Sequence, residues 1–205
     1  RGYQETINYS FVDPQLENLM DPEKKPLRLA NPLSTDMSVM RTTLWTGLLK
    51  SLVYNLNRQH ERVRLFEIGS RFGQVDDVAE ASFKDILQER TVAGIACGSR
   101  YEENWASDRD VIDFYDVKGD VESILALNSA DFEVVPATHP ALQLGQAAEI
   151  RRGRELVGYL GLLDPRVQKA LDIRNPVYLF ELMVGPITNK VVAKIEPLSK
   201  FPEVR

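Results

Sequence analysis

Apolar residues recur along this chain with two periods, and the changes between them outline its elements. Thr6-Ile7-Asn8-Tyr9-Ser10-Phe11 alternates with period two, which predicts a strand. Asp13-Pro14 predicts the start of a short helix through Met20, with Asp13 as cap and Pro14 in the first turn. Leu27 to Ala30 reads as a second short strand, and Asn31 to Ser34 as a turn. Leu44, Leu48, Leu49, Leu52, Val53 and Leu56 then form one apolar stripe at helical spacing, predicting a long helix from Leu44 to Arg58 with His60 at its end. Period two returns over Val63 to Phe72, with Val63, Leu65, Glu67 and Gly69 on one face and Arg64, Phe66 and Ile68 on the other. Gln74 to Gln88 reads as an exposed connection and Thr91 to Cys97 as a buried strand. Ser99 to Asp110 reads as a loop anchored by Trp105. A helix starting at Asp113 turns Val117, Val121, Ile124 and Leu125 inward. Phe132 to Val135 predicts a strand. Ala147 to Arg151 and Glu155 to Leu162, joined at Gly153, predict a hairpin. Asp164-Pro165 opens a short helix to Leu171, Val177 to Val184 is a final strand, and residues 193–205 read as a linker.

Strands and helices do not alternate regularly, so a parallel doubly wound sheet is disfavoured. The order predicts an α+β fold, a mainly antiparallel sheet flanked by helices. No internal repeat or low-complexity run interrupts it.

Composition narrows the function classes. The 205 residues are 43% hydrophobic and 27% charged, which is globular composition. No apolar run of about 20 residues is present, so no helix is expected to span a membrane. With 25 basic and 30 acidic side chains the net charge is −5, which disfavours nucleic-acid binding as the main role. Cys97 is the only cysteine and lies in an apolar strand, which points to a packing role and a reducing, cytoplasmic compartment. The first residues carry neither a start methionine nor a signal core, so the chain reads as a piece of something longer.

No motif announces chemistry. Asp108, Asp110, Asp113, Asp116, Asp120 and Glu122 lack the spacing and glycine of a calcium loop, and read as a helix cap with a solvated face. His60 and His139 are far apart, and neither neighbours a nucleophile in an elbow pattern. Gly158 and Gly161 within a strand mark close backbone approach or a bulge rather than a phosphate loop. Catalytic, cofactor and metal residues are therefore expected to be absent.

Several runs in order resemble the β subunit of bacterial phenylalanyl-tRNA synthetases. They include Gly2-Tyr3-Gln4-Glu5, Leu29 to Ser34, Met37 to Arg41, Leu44 to Asn57, Arg64 to Gly69, Phe114 to Glu122, Gly158 to Leu163, Phe180-Glu181-Leu182 and Ser199 to Pro202. The resemblance runs from end to end. It implies a catalytic-like module over residues 1–192, similar in fold to the class II aminoacyl-tRNA synthetase core. Residues 193–205 would lead to a C-terminal anticodon-binding domain. It further implies an α2β2 holoenzyme whose α subunit holds the synthetic site, uses ATP and Mg2+, and meets tRNA through other modules.

An active core of that class meets phosphate with arginines, whose planar fork binds oxygens in pairs. Here Glu67 follows Phe66 where a strand arginine would be useful, and the last strand offers Glu181 and no arginine. Arg41 and Arg71 remain as candidates. The expectation is a non-catalytic module supporting α–β assembly. Met37, Met40 and Trp45 are its candidate contacts with the α subunit, while Leu48 and Leu52 belong to the helix stripe. The alternatives are a tRNA-contacting module and a self-sufficient ATP-dependent ligase core.

Overall fold

The computed structural model describes residues 1–74, 86–105, 110–128 and 130–189. Its centre is a sheet of seven strands among these residues. They are β1 (Gln4–Glu5), β4 (Val63–Gln74), β5 (Ile86–Cys97), β6 (Glu133–Pro136), β7 (Leu142–Arg152), β8 (Glu155–Leu163) and β9 (Val177–Met183). The order is β1-β4-β5-β9-β8-β7-β6, antiparallel except for the edge strand β1, which runs parallel to β4. A two-stranded ribbon pairs β2 (Phe11–Val12) with β3 (Val39–Met40).

Register sorts the side chains onto two faces. Leu65, Ile95 and Leu179 stand in one row, and the helices α1 (Pro14–Met20) and α2 (Trp45–Leu56) pack over that face with Leu16, Met20, Leu48, Leu49 and Leu52. The opposite face carries Ala96, Phe180, Leu160 and Leu182. It is covered by α3 (Phe114–Leu125) through Val117, Val121 and Leu125. Cys97 is buried in the first core, where desolvation pushes its thiol up to about 11, so it packs rather than reacts.

Local signals act where they were read. Asp13 caps α1 by accepting from the Gln15 amide at 2.8 Å, and Asp164 does the same for Arg166 at the start of α4 (Pro165–Ala170). Asp113 and Asp116 form a reciprocal capping box at α3. Gly158 marks close approach: a methyl group there would overlap the carbonyl oxygen of Glu181 on β9.

The structure corrects several boundaries. Thr6 to Phe11 is not one strand. Gln4–Glu5 pair with β4, Phe11–Val12 pair with β3, and the chain between them changes sheets. Leu27 to Ala30 reduces to a bridge between Arg28 and Val39. The long helix ends at Leu56, so His60 does not sit on its last turn; Gln59, with φ of 66°, turns the chain out. Gln88 and its neighbours from Ile86 belong to β5, while residues 75–85 of that expected connection lie outside the described residues. Trp105 anchors nothing, being 99% exposed. The last strand stops at Met183 and gives way to a short helix α5 (Val184–Thr188). Asp108 and the expected linker at 193–205 lie outside the described residues.

Candidate functional site

Helix α2 begins without a capping side chain of its own. A helix start carries orphan amides and a positive dipole end. Here a carboxylate from a distant strand takes the N-cap amide, and a second from α1 binds the turn just before the helix. Glu17 of α1 accepts from the Thr42 amide at 2.5 Å, the Thr42 hydroxyl at 2.6 Å and the Thr46 hydroxyl at 2.6 Å. Glu181 of β9 accepts from the Leu44 amide at 2.7 Å and the Thr43 hydroxyl at 3.0 Å. The Thr43 hydroxyl oxygen in turn accepts from the Trp45 amide at 3.2 Å. Burial holds the Glu17 carboxyl above its ordinary range, against the pull of the Thr42 and Thr46 donors.

A third carboxylate stands in the same row. Register aligns Glu67 of β4 with Ala93 of β5, and Ala93 with Glu181. Glu67 accepts from the Arg41 guanidinium at 2.7 Å and from the Asn8 side chain at 2.8 Å. Arg41 and Glu67 are both almost wholly buried, and Arg41 also donates to the Ser70 carbonyl at 2.9 Å. Gly69 makes this possible, because any Cβ there would overlap the guanidinium. Arg71 reaches Glu181 at 3.2 Å and Glu89 at 2.7 Å. Burial opposes its charge, but Glu181 and Glu89 raise its pKa above the usual guanidinium value. Arg71 therefore does not face solvent freely; it bridges two strands.

The remaining candidates sit nearby. Trp45 is buried and its indole donates to the Phe180 carbonyl at 2.9 Å. Leu48 and Leu52 are fully buried in the core of this chain. Met37 and Met40 are half-buried, in a 3-10 turn and in β3. Sequence reading passed over Glu17, Asn8, Thr42, Thr43 and Thr46. The signal was a glutamate between Leu16 and Met20 on a short helix, and three threonines just where a capless helix starts.

Chemically this cluster is closed. Its guanidiniums are held by carboxylates, its hydroxyls donate to carboxylates, and Glu17, Glu67 and Glu181 would repel a polyphosphate. The residues present do not fit the phosphates of ATP.

His139 packs beside the cluster, with its ring 5.1 Å from that of Trp45 and 4.9 Å from that of Tyr159. Its Nδ1 accepts from the Ala141 amide at 3.1 Å. Burial pulls its pKa down to about 4, only partly offset by Asp21. The folded state thus holds a neutral imidazole, whereas the unfolded chain protonates near pH 6.5. This stabilisation is complete above pH 6.5 and is lost as pH falls toward 4, by up to about 3 kcal/mol. Denaturant midpoints of wild type and His139→Asn should converge over that window. Parallel pH profiles would show that His139 is not the titrating group.

One surface runs against the usual pattern. Between β1 and β2 the polar Thr6, Asn8 and Ser10 turn inward, while Ile7 and Tyr9 are 90% and 73% exposed. Asn8 fixes this polarity by bonding Glu67 and accepting from the Ser51 hydroxyl at 2.9 Å. Tyr54 of α2 is also exposed. It lines a groove of about 470 Å³ between α2 and the β1 edge, with Glu5, Thr6 and Lys50.

Comparison with known proteins agrees with this architecture. The family model described as "Phenylalanyl tRNA synthetase beta chain CLM domain" matches residues 1–184. The phenylalanine–tRNA ligase beta subunit of Pseudomonas putida is 50% identical over the whole chain, and that of Nitrosococcus oceani 47%. The chain spans about a quarter of the length of each, 25%. Two structures of Desulfitobacterium hafniense pyrrolysyl-tRNA synthetase share its fold, at TM-scores of 0.63 and 0.64 with 13% and 14% identity. Each aligns with 91% of this chain, and with 60% and 62% of its own. The antiparallel sheet flanked by helices thus has a class II synthetase core-like fold, and the chain belongs to the phenylalanyl-tRNA synthetase beta chain CLM domain family.

Proposed function

We propose that this chain is a non-catalytic assembly module of a phenylalanine–tRNA ligase β subunit. It joins the α subunit in an α2β2 enzyme of the cytoplasm that uses ATP and Mg2+ to charge tRNA with phenylalanine. Residues 1–192 form the module, and 193–205 lead toward an anticodon-binding domain. Synthesis belongs to the α subunit, and tRNA is met mainly by other modules.

The observation that carries this reading is the reversed segment Thr6 to Ser10. The inward turn of Asn8 onto Glu67 and Ser51 leaves Ile7 and Tyr9 exposed together, and an interface would bury both against a partner. The closed carboxylate cluster supports the non-catalytic half: the arginines that could clamp phosphate are held by Glu67, Glu89 and Glu181.

The test is an Ile7→Asp/Tyr9→Asp double variant in the full-length β subunit, co-expressed with α. Both side chains are exposed, so the thermal midpoint of β alone should hardly move, as for surface substitutions within ~0.5 kcal/mol. Co-elution with α should be lost. Assembly at wild-type yield would overturn the assignment of this surface.

A further inference from the structure

Where β5 ends and β4 begins, a groove of about 340 Å³ opens between Glu61, Gly98, Tyr101, Glu102, Val111 and Pro176. Its walls are held by backbone. The Arg100 amide donates to the Asp110 carbonyl at 2.7 Å, and the Ile112 amide to the Gly98 carbonyl at 3.0 Å, so the segment leaving β5 is clamped to the one entering α3. Gly98, with φ of 93°, lets that clamp lie against the Glu61 carbonyl, where any Cβ would overlap.

Apolar surface is concentrated on this clamp. Tyr101 and Val111 are each 55% exposed, and Trp105, the residue after the lining Asn104, is 99% exposed. Tyr115, also exposed, shares a neighbouring hollow with Tyr101. Aromatic side chains left open together mark a surface that a partner covers.

The charge around the groove states the partner's chemistry. Among the described residues its lining contains carboxylates and no lysine or arginine. The nearby arginines are occupied: Arg100 by Asp110, Asp113 and Asp116, and Arg64 by Asp120. Arg62 reaches Glu102 only at 3.9 Å, and the Glu102 side chain is 84% exposed, a pair that contributes little in water. Glu103 already has contacts of its own. Glu61 has no ion pair or side-chain hydrogen bond among the described residues, and stands exposed at the groove. Such a lining repels polyanions and attracts a cation. Arginine suits it best, because its planar fork can lie flat on the Tyr101 ring while its N–H groups meet carboxylates.

We propose that this groove docks an arginine-bearing segment of another protein chain, with Glu61 and Glu102 taking the guanidinium and Tyr101, Val111 and Trp105 covering its apolar neighbours. It is a second surface, separate in residues and in chemistry from the one at Ile7 and Tyr9, and stands whether or not that one meets the α subunit.

The full-length β subunit should be titrated calorimetrically at low salt with a nine-residue peptide alternating glycine and arginine, and with its glycine–glutamate counterpart. The arginine peptide is expected to bind and the glutamate peptide not to. Glu61→Gln/Glu102→Gln should weaken the arginine peptide at least fivefold, and Tyr101→Leu at least threefold, with Tyr101→Phe retaining most of the affinity. These side chains are exposed, so the variants fold. Glu133→Gln/Glu155→Gln makes the same change in net charge on the β6–β8 side of the sheet, and should leave affinity within twofold of wild type. Equal losses in the two glutamate pairs would mean attraction to net charge alone and would overturn the proposal. So would absence of binding by the arginine peptide, or binding of the glutamate peptide with equal affinity.

Discussion

Replacing Arg41 with methionine is expected to cost this domain about 3–5 kcal/mol, the penalty for leaving one member of a buried ion pair alone. Arg41 and Glu67 are 3% and 4% exposed at the side chain, so water cannot replace the lost partner. Asn8 would remain on Glu67, through its side-chain amide at 2.8 Å and its backbone amide at 3.5 Å, neutral donors where a guanidinium stood. The same substitution also removes the bond from Arg41 to the Ser70 carbonyl. The pair itself need not be worth that much. Arg41→Met/Glu67→Leu together should recover a large part of the loss, because two matched apolar groups avoid the uncompensated charge. A double-mutant cycle on denaturant midpoints measures the coupling. If the single variant loses less than ~1 kcal/mol, Glu67 must find another partner, and the picture of a closed cluster fails.

Leu52→Ala should cost a similar ~2–5 kcal/mol, for a different reason. The stripe Leu48, Leu49, Leu52 faces the sheet, and all three are fully buried in the same core as Leu65, Ile95 and Leu179. Truncation removes transfer free energy and leaves a cavity between a helix and a hydrogen-bonded sheet, neither of which collapses easily. The readout is the denaturant midpoint of the isolated chain, with the slope unchanged. Affinity for the α subunit is the control. An unmoved midpoint with lost association would mean that the stripe serves an interface.

What could be read from the sequence was whatever a few neighbouring residues decide together. Asp13-Pro14, Asp113 with Asp116, and Asp164-Pro165 declare helix starts because cap and amide lie within three residues. The leucine stripe of α2 and the hairpin at Gly153 are equally local. What was hidden depends on partners far along the chain. Period two over residues 6–11 was real, but it recorded a segment crossing between two sheets, so its polar side faces in toward Glu67. Glu67 and Glu181 stood out as carboxylates in strand interiors, yet only the register across β5 shows them in one row. Trp105 misled through size alone: its ring sits in a polar loop and is 99% exposed.

The position of β9 carries a consequence for how the polypeptide is made. This strand is the last of the sheet to be synthesised, yet it lies in the middle, between β5 and β8. Until Val177–Met183 leaves the ribosome, β4–β5 and β7–β8 are two separate ribbons, each presenting an unpaired edge. The Leu44 amide at the head of α2 also waits for Glu181, 137 residues downstream. Closure is therefore a single late event with long sequence separation, the kind that is slow and leaves apolar faces open meanwhile. A nascent chain arrested before residue 177 should be a strong client for holdase chaperones, and one arrested a few tens of residues later, with β9 clear of the exit tunnel, should not.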